Sequence, residues 1–344
     1  MATGRVIPPM LGLCTALLVL AALYAAQSIL APVAFALFAI AIVWPLQRAL
    51  QQAKLPAGLA LLITLIVAVT VISALGWLAV WGFGTVGEWA IDNSGRLQTL
   101  YRRWAVLLEQ QGLYSAGLLA ETFDMMWLLR ALGDVAGHLR EIISFTGITL
   151  VFMILGLLEV PVVARRLRSL QQPVCGQTVL HTCTSIARKF QKYMLVRTLM
   201  SAITGLGVWG FASLTGLQLA REWGVIAFVL NYIPFIGPLV ATALPALFAI
   251  VQFESWQMPV IVFAGLYALQ FLTGSYIEPL IAGKALAASP FMVLFAVFFG
   301  TFLWGIPGAF IGVPILIALV TICENVAALR WIAGLLSGPP SAAG

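Results

Sequence analysis

Residues 223–253 read WGVIAFVLNYIPFIGPLVATALPALFAIVQF. The stretch carries no charge, so it suits hydrocarbon, yet Pro234, Gly237 and Pro238 break its helical ladder near the middle. It is too long for one span and too broken for two ordinary ones. Arms of roughly 11–14 residues at ~1.5 Å per residue reach only about 17–21 Å, short of the ~30 Å core of a bilayer. Residues 290–322 repeat the pattern, with breaks at Gly305, Pro307 and Gly308. Both stretches read as re-entrant hairpins with tips at membrane depth. Backbone groups freed at such tips must face protein or a wet cavity, because hydrocarbon offers them no partner.

Working outward, apolar runs at 10–27, 30–46, 57–83, 142–161, 199–215 and 258–274 are each long enough to span. The first two meet in a very short joint around 28–32, which predicts a tight helical hairpin. The expected fold is an all-α polytopic membrane protein of about six full spans plus two Pro/Gly-broken re-entrant hairpins, alternatively counted as eight spans. Composition agrees. Of 344 residues, 62% are apolar and 9% charged, and mean hydropathy is +1.05. So few charges cannot cover a soluble globule of this size, which excludes a soluble enzyme. The first run follows only Arg5 and flows directly into another apolar run, unlike a cleaved signal peptide.

Charge placement predicts sidedness. The net charge of +6 belongs to cytoplasmic loops before it suggests nucleic acid. Residues 162–198 hold seven basic side chains and no acidic one, whereas 87–141 hold five basic and seven acidic. The positive-inside rule puts 162–198 and both termini in the cytoplasm and 87–141 outside. The expected organisation is a three-span unit at 1–86, an extracytoplasmic segment at 87–141, a transport unit at 142–336 containing both hairpins, and a disordered tail at 337–344. Within 87–141, Leu97, Leu100, Tyr101, Trp104, Leu107, Leu108 and Gln111 form one helical stripe, and Leu118, Leu119, Phe123, Met126 and Trp127 a second.

Catalytic chemistry is nearly absent. There are two histidines, His138 and His181, and no HExxH, GxSxG or Walker A sequence. Without a nucleotide-binding loop this chain alone is not an ATP-driven pump, and no cofactor is implied. Cys175, His181 and Cys183 match no zinc spacing, so no metal site is assigned. Paired helix breaks are instead the pointer to a transport pathway. The candidate pathway residues are Asn231, Pro234, Gly237, Pro238, Ser275, Trp304, Gly305, Pro307 and Gly308. Glu278, ahead of Pro279 and Lys284, is either an ion-coupling acid for H⁺ or Na⁺ or an anchor at headgroup level. Glu159 and Glu324 read as interfacial charges. Arg188, Lys189, Lys192 and Arg197 form a basic cytoplasmic face on a helix expected to end near Val196, suited to solvent, anionic lipid or solute.

These residues resemble a known family. The stretch from Ile186 to Gly205, with Tyr193, Arg197, Thr198, Ser201 and Thr204, is similar to a cytoplasmic helix entering a span in the autoinducer-2 exporter family. The stretch from Trp223 to Pro238 resembles that family's most recognisable motif. Glu278-Pro-Leu-Ile-Ala-Gly-Lys284 with Ser289-Pro290, and the stretch from Leu303 to Pro314, resemble two more. The chain departs from the family at Thr273-Gly-Ser-Tyr-Ile-Glu-Pro279, which lacks the Asp-Asn or Gly-Asn often found there. The resemblance implies a homo-oligomeric permease of the bacterial inner membrane. It implies export of a small polar solute such as autoinducer-2, with Na⁺/H⁺ antiport as the alternative. A non-transporting scaffold acting through 87–141 is a further alternative.

Overall fold

The computed structural model describes residues 7–96, 98–99, 125–169, 173–253, 255–282 and 289–336. The helices are α1 (Ile7–Ala25), α2 (Gln27–Gln52), α3 (Ala57–Asp92), α4 (Met125–Arg168), α5 (Pro173–Leu214), α6 (Ala220–Leu230), α7 (Ile236–Gln252), α8 (Gln257–Leu272), α9 (Glu278–Ala282), α10 (Pro290–Asn325) and α11 (Arg330–Leu336). A π-helical turn, Thr273–Ile277, joins α8 to α9. Among the described residues, six helical segments are long and apolar enough to cross a bilayer: Gln27–Gln52, Ala57–Asp92, Ser144–Arg168, Gly176–Leu214, Gln257–Ile281 and Pro290–Asn325. The last meets the length criterion although its backbone folds back on itself. The 19-residue α1 would reach roughly 28 Å. The fold is therefore all-helical with about six spans. Most of the stripe residues of 87–141, together with Lys284 and the tail after Leu336, lie outside the described residues.

The chain divides into two compact units. The first comprises 1–68, 144–194 and 284–344, and the second 69–143 and 195–283. In the first unit Ala36, Ile40, Ala68, Met153 and Leu157 form a buried core. Gly156 lets α4 lie against Ile40 of α2, since a Cβ there would collide with the Ile40 side chain. Phe35, Phe38, Phe145, Phe190 and Phe310 add a cluster of ring contacts. The α1–α2 joint lies at Ala26, earlier than the 28–32 expected. Pro32 sits inside α2 and does not make the bend.

The α10 helix is the second expected hairpin. Trp304 (φ −135°, ψ 17°) and Gly305 (φ 63°, ψ −142°) leave helical geometry, and Gly305 takes a conformation open to glycine alone. The two arms then lie against each other. A Cβ on Gly308 would strike the Gly300 carbonyl, and one on Gly312 the Ala296 carbonyl.

In the second unit α6 and α7 form the first hairpin, packed on α5 and α8 through Val208, Ala212, Trp223, Ile226, Phe248 and Leu266. Its two roots are clasped. The Gln218 amide donates to Gln252 Oε1 at 2.7 Å, Gln252 Nε2 donates to the Gly216 carbonyl at 2.8 Å, and Trp223 Nε1 donates to the Gln218 carbonyl at 3.1 Å. Trp89 Nε1 of α3 closes the clasp on Gln218 Oε1 at 3.0 Å.

Candidate functional site

The far end of the first hairpin is its tip, 231–235. Asn231 ends α6, and Phe235 starts α7 with φ 63° and ψ −52°. That is a strained conformation for a residue with a side chain, of the kind stored at working sites. Pro238 is tolerated because the first turn of a helix needs no amide donor. Gly237 closes the turn, since a Cβ there would strike the Leu230 carbonyl.

Helix α5 runs antiparallel to α6 at very short range. A Cβ on Gly205 would lie 2.8 Å from the Gly224 carbonyl oxygen, and one on Gly224 would lie 2.9 Å from that of Gly205. Small residues are what permit such approach between membrane helices. The closeness sets the tip against a polar face of α5. Arg197, Ser201 and Thr204, at i, i+4 and i+7, share that face, and all three are buried. Asn231 Nδ2 donates to Ser201 Oγ at 3.4 Å, and the Tyr232 hydroxyl to Thr198 Oγ1 at 3.1 Å.

The third wall comes from α8 and α9. They also run antiparallel to α5, in register where Gly207 faces Leu269 and Gly265 faces Phe211. Pro279 has no amide hydrogen to continue the ladder. The preceding turn widens, and the Glu278 amide donates five residues back to the Thr273 carbonyl. Such π-turns occur often at functional positions. This one aims Glu278 at α5, where Oε2 lies 3.4 Å from Arg197 Nη1. Among the described residues Arg197 is the one charged side chain that is buried. The Thr273 hydroxyl is satisfied by the Leu269 and Gln270 carbonyls. Two polar atoms here, Thr204 Oγ1 and Gln270 Nε2, are buried and make no hydrogen bond among the described residues. A dry orphan of this kind costs about 1–3 kcal/mol, so the seam favours a water or a solute oxygen. The seam thus offers a cation, a carboxylate, hydroxyls and an amide, a set able to hold a small polar molecule.

The other candidate residues fall elsewhere. Ser275 is exposed and outside the seam. Trp304, Gly305, Pro307 and Gly308 belong to the second tip, in the first unit. There Trp304 Nε1 donates to the Leu23 carbonyl at 3.2 Å, and Phe302 stacks on Tyr24. The basic face splits. Helix α5 does not end near Val196 but continues to Leu214, because nothing in that stretch interrupts its ladder. Lys189 pairs with Glu324 at 2.7 Å and Arg197 turns into the seam, while Arg188 and Lys192 stay exposed. His181 Nδ1 lies 3.3 Å from Asn325 Oδ1. Glu159 is exposed, with no ion pair among the described residues.

Sequence reading missed the roles of Thr204, Gln270 and the π-turn. The turn has a signal in Gly274 and Pro279, which weaken and then block the ladder of an apolar helix. Arg197 has one as well, being the lone charge between Tyr193 and Arg221.

The chain matches the AI-2E family transporter profile over residues 13–328. It is 29% identical to the AI-2 transport protein TqsA of Escherichia coli K12, over 97% of this chain and 96% of the relative. A protein of Borreliella burgdorferi named for transport is 31% identical over 58% of this chain and 56% of its own length. A Haemophilus influenzae protein, also named for transport, is 24% identical over 92% of each. Broken hairpins and a polar seam within an apolar helical fold suit such a function. The chain is a member of the AI-2E transporter family, a multi-pass membrane transporter and not an enzyme.

Proposed function

We propose that the chain is a secondary transporter of the bacterial inner membrane that exports a small, polar, hydroxyl-rich solute through the seam of the second unit. Autoinducer-2 is the first solute to test, since the relative matched over 96% of its own length is named for AI-2 transport. The observation that carries the reading is the buried polar face of α5, with Arg197, Ser201 and Thr204, met by Asn231 and Tyr232 from a broken hairpin and by Glu278 from a π-turn. Buried polar groups are costly in such a fold unless they are used, and a passing solute uses them. In outline, Arg197 holds a solute oxygen, while the Ser201 and Thr204 hydroxyls and the Asn231 amide replace its water.

Cation/proton antiport is the second reading, favoured by one observation: Glu278 supplies a carboxylate to the seam. Its partner Arg197 already balances that charge, which favours a positioning role for Glu278 over a cation load. Purified protein in liposomes, assayed for flux of labelled autoinducer-2 with and without imposed pH and Na⁺ gradients, separates the two. Solute flux in wild type that is lost in Arg197→Leu supports the first reading. Gradient-driven Na⁺ or H⁺ exchange without solute flux supports the second.

A further inference from the structure

A groove of about 390 Å³ runs along the outside of the α5–α6 pair, away from the seam residues, with Gly205 and Gly224 among its lining. Any side chain at those two positions would collide across the helix pair, so the glycines let α5 and α6 close to form the floor of the groove. Leu206, Trp209 and Phe228 line it, and Leu206 and Trp209 are largely exposed. Its lining is almost wholly apolar except at one end, where Arg221 stands in the first turn of α6. Arg221 is exposed and makes no ion pair or hydrogen bond among the described residues. The neighbouring Glu222 points about 100° away around the helix.

We propose that this groove binds an anionic phospholipid, with one acyl chain lying between α5 and α6 and the phosphate on Arg221. The helical rise from Arg221 to Phe228 gives an apolar channel about 10 Å long, with its one charged lining residue at the end. An arginine at the end of an apolar run, close to where α5 ends at Leu214, sits at headgroup depth. Unpaired basic groups there select anionic headgroups over zwitterionic ones. The site is separate from the seam, although α6 carries both. Arg221 lies at one end of that helix and Asn231 caps the other.

The test uses the purified full-length chain in detergent, incubated with equal amounts of phosphatidylglycerol and phosphatidylcholine and read by native mass spectrometry. Wild type retains phosphatidylglycerol about fivefold over phosphatidylcholine, the factor one basic residue supplies near an anionic surface. Arg221→Gln removes the preference and Arg221→Lys keeps it. Ala202→Phe, which fills the groove at the end far from Arg221, lowers retention of both lipids. Equal retention of the two lipids by wild type overturns the proposal, as does unchanged retention in Arg221→Gln and Ala202→Phe. A fall in copies per complex in Ala202→Phe, with lipid retention intact, overturns it too, because a second copy of the chain then fills the groove.

Discussion

Removing Arg197 tests how the seam is held together. Losing one partner of a fully buried pair costs about 3–5 kcal/mol, whereas an exposed pair contributes about 0–1 kcal/mol. Arg197 keeps 10% of its side chain exposed and Glu278 26%, and they meet at one point, Nη1 to Oε2 at 3.4 Å. The carboxylate left behind in Arg197→Leu keeps part of its water, so the expected loss is about 2 kcal/mol. Glu278→Leu removes the carboxylate from the more deeply buried arginine and should cost at least as much. A double-mutant cycle, read by equilibrium unfolding in mixed micelles, cancels the other contacts of each side chain. It should give a coupling of about 1–2 kcal/mol, with the double variant more stable than the two single losses predict. Additivity within about 0.5 kcal/mol would refute the ion pair. Solute flux adds a second readout. If Arg197 also holds the solute, the double variant regains stability but stays inactive. Recovery of flux along with stability would reduce the arginine to a structural part.

Gly237→Ala places a methyl against the Leu230 carbonyl, which backbone cannot easily avoid. The expected result is lost flux with normal membrane insertion, at a stability cost of about 1–3 kcal/mol, and wild-type flux would remove the first tip from the pathway. Thr204→Val deletes a buried hydroxyl that has no partner among the described residues while keeping its shape. Stability should hold or rise by about 1 kcal/mol while flux falls, and a clear loss of stability would show that the hydroxyl is bonded. For sidedness, cysteines introduced at 95–135 should react with an impermeant thiol reagent from outside and those at 165–185 should not. The reverse pattern would invert the orientation drawn from the charges.

Much of the fold is legible in local sequence. Pro234, Gly237 and Pro238 mark the first tip, and Gly305 with Pro307 the second, because a missing amide or a missing Cβ acts on its own backbone wherever the chain goes. The α1–α2 joint at Ala26 is not legible, since neither Ala26 nor Gln27 is a residue type that breaks a helix. Proline is a poor guide there, as Pro32 continues α2. The site is legible in part. Asn231 is legible because it borders the break. Arg197 read as one of four surface cations because its burial depends on Glu278, 81 residues away, and on a π-turn that aims the carboxylate. Long-range pairing of that kind leaves no periodicity behind. Ser275 shows the converse, standing near the decisive break yet facing outward.

The central claim is that solute travels through the seam at Ser201. With Cys14, Cys175, Cys183 and Cys323 replaced, Ser201→Cys places a single thiol beside Asn231. Its rate of labelling by a small, membrane-permeant thiol reagent should fall severalfold when labelled autoinducer-2, or whichever solute the liposomes transport, is added at saturating concentration. An unchanged labelling rate in protein that still transports the solute would contradict the account and move the pathway elsewhere.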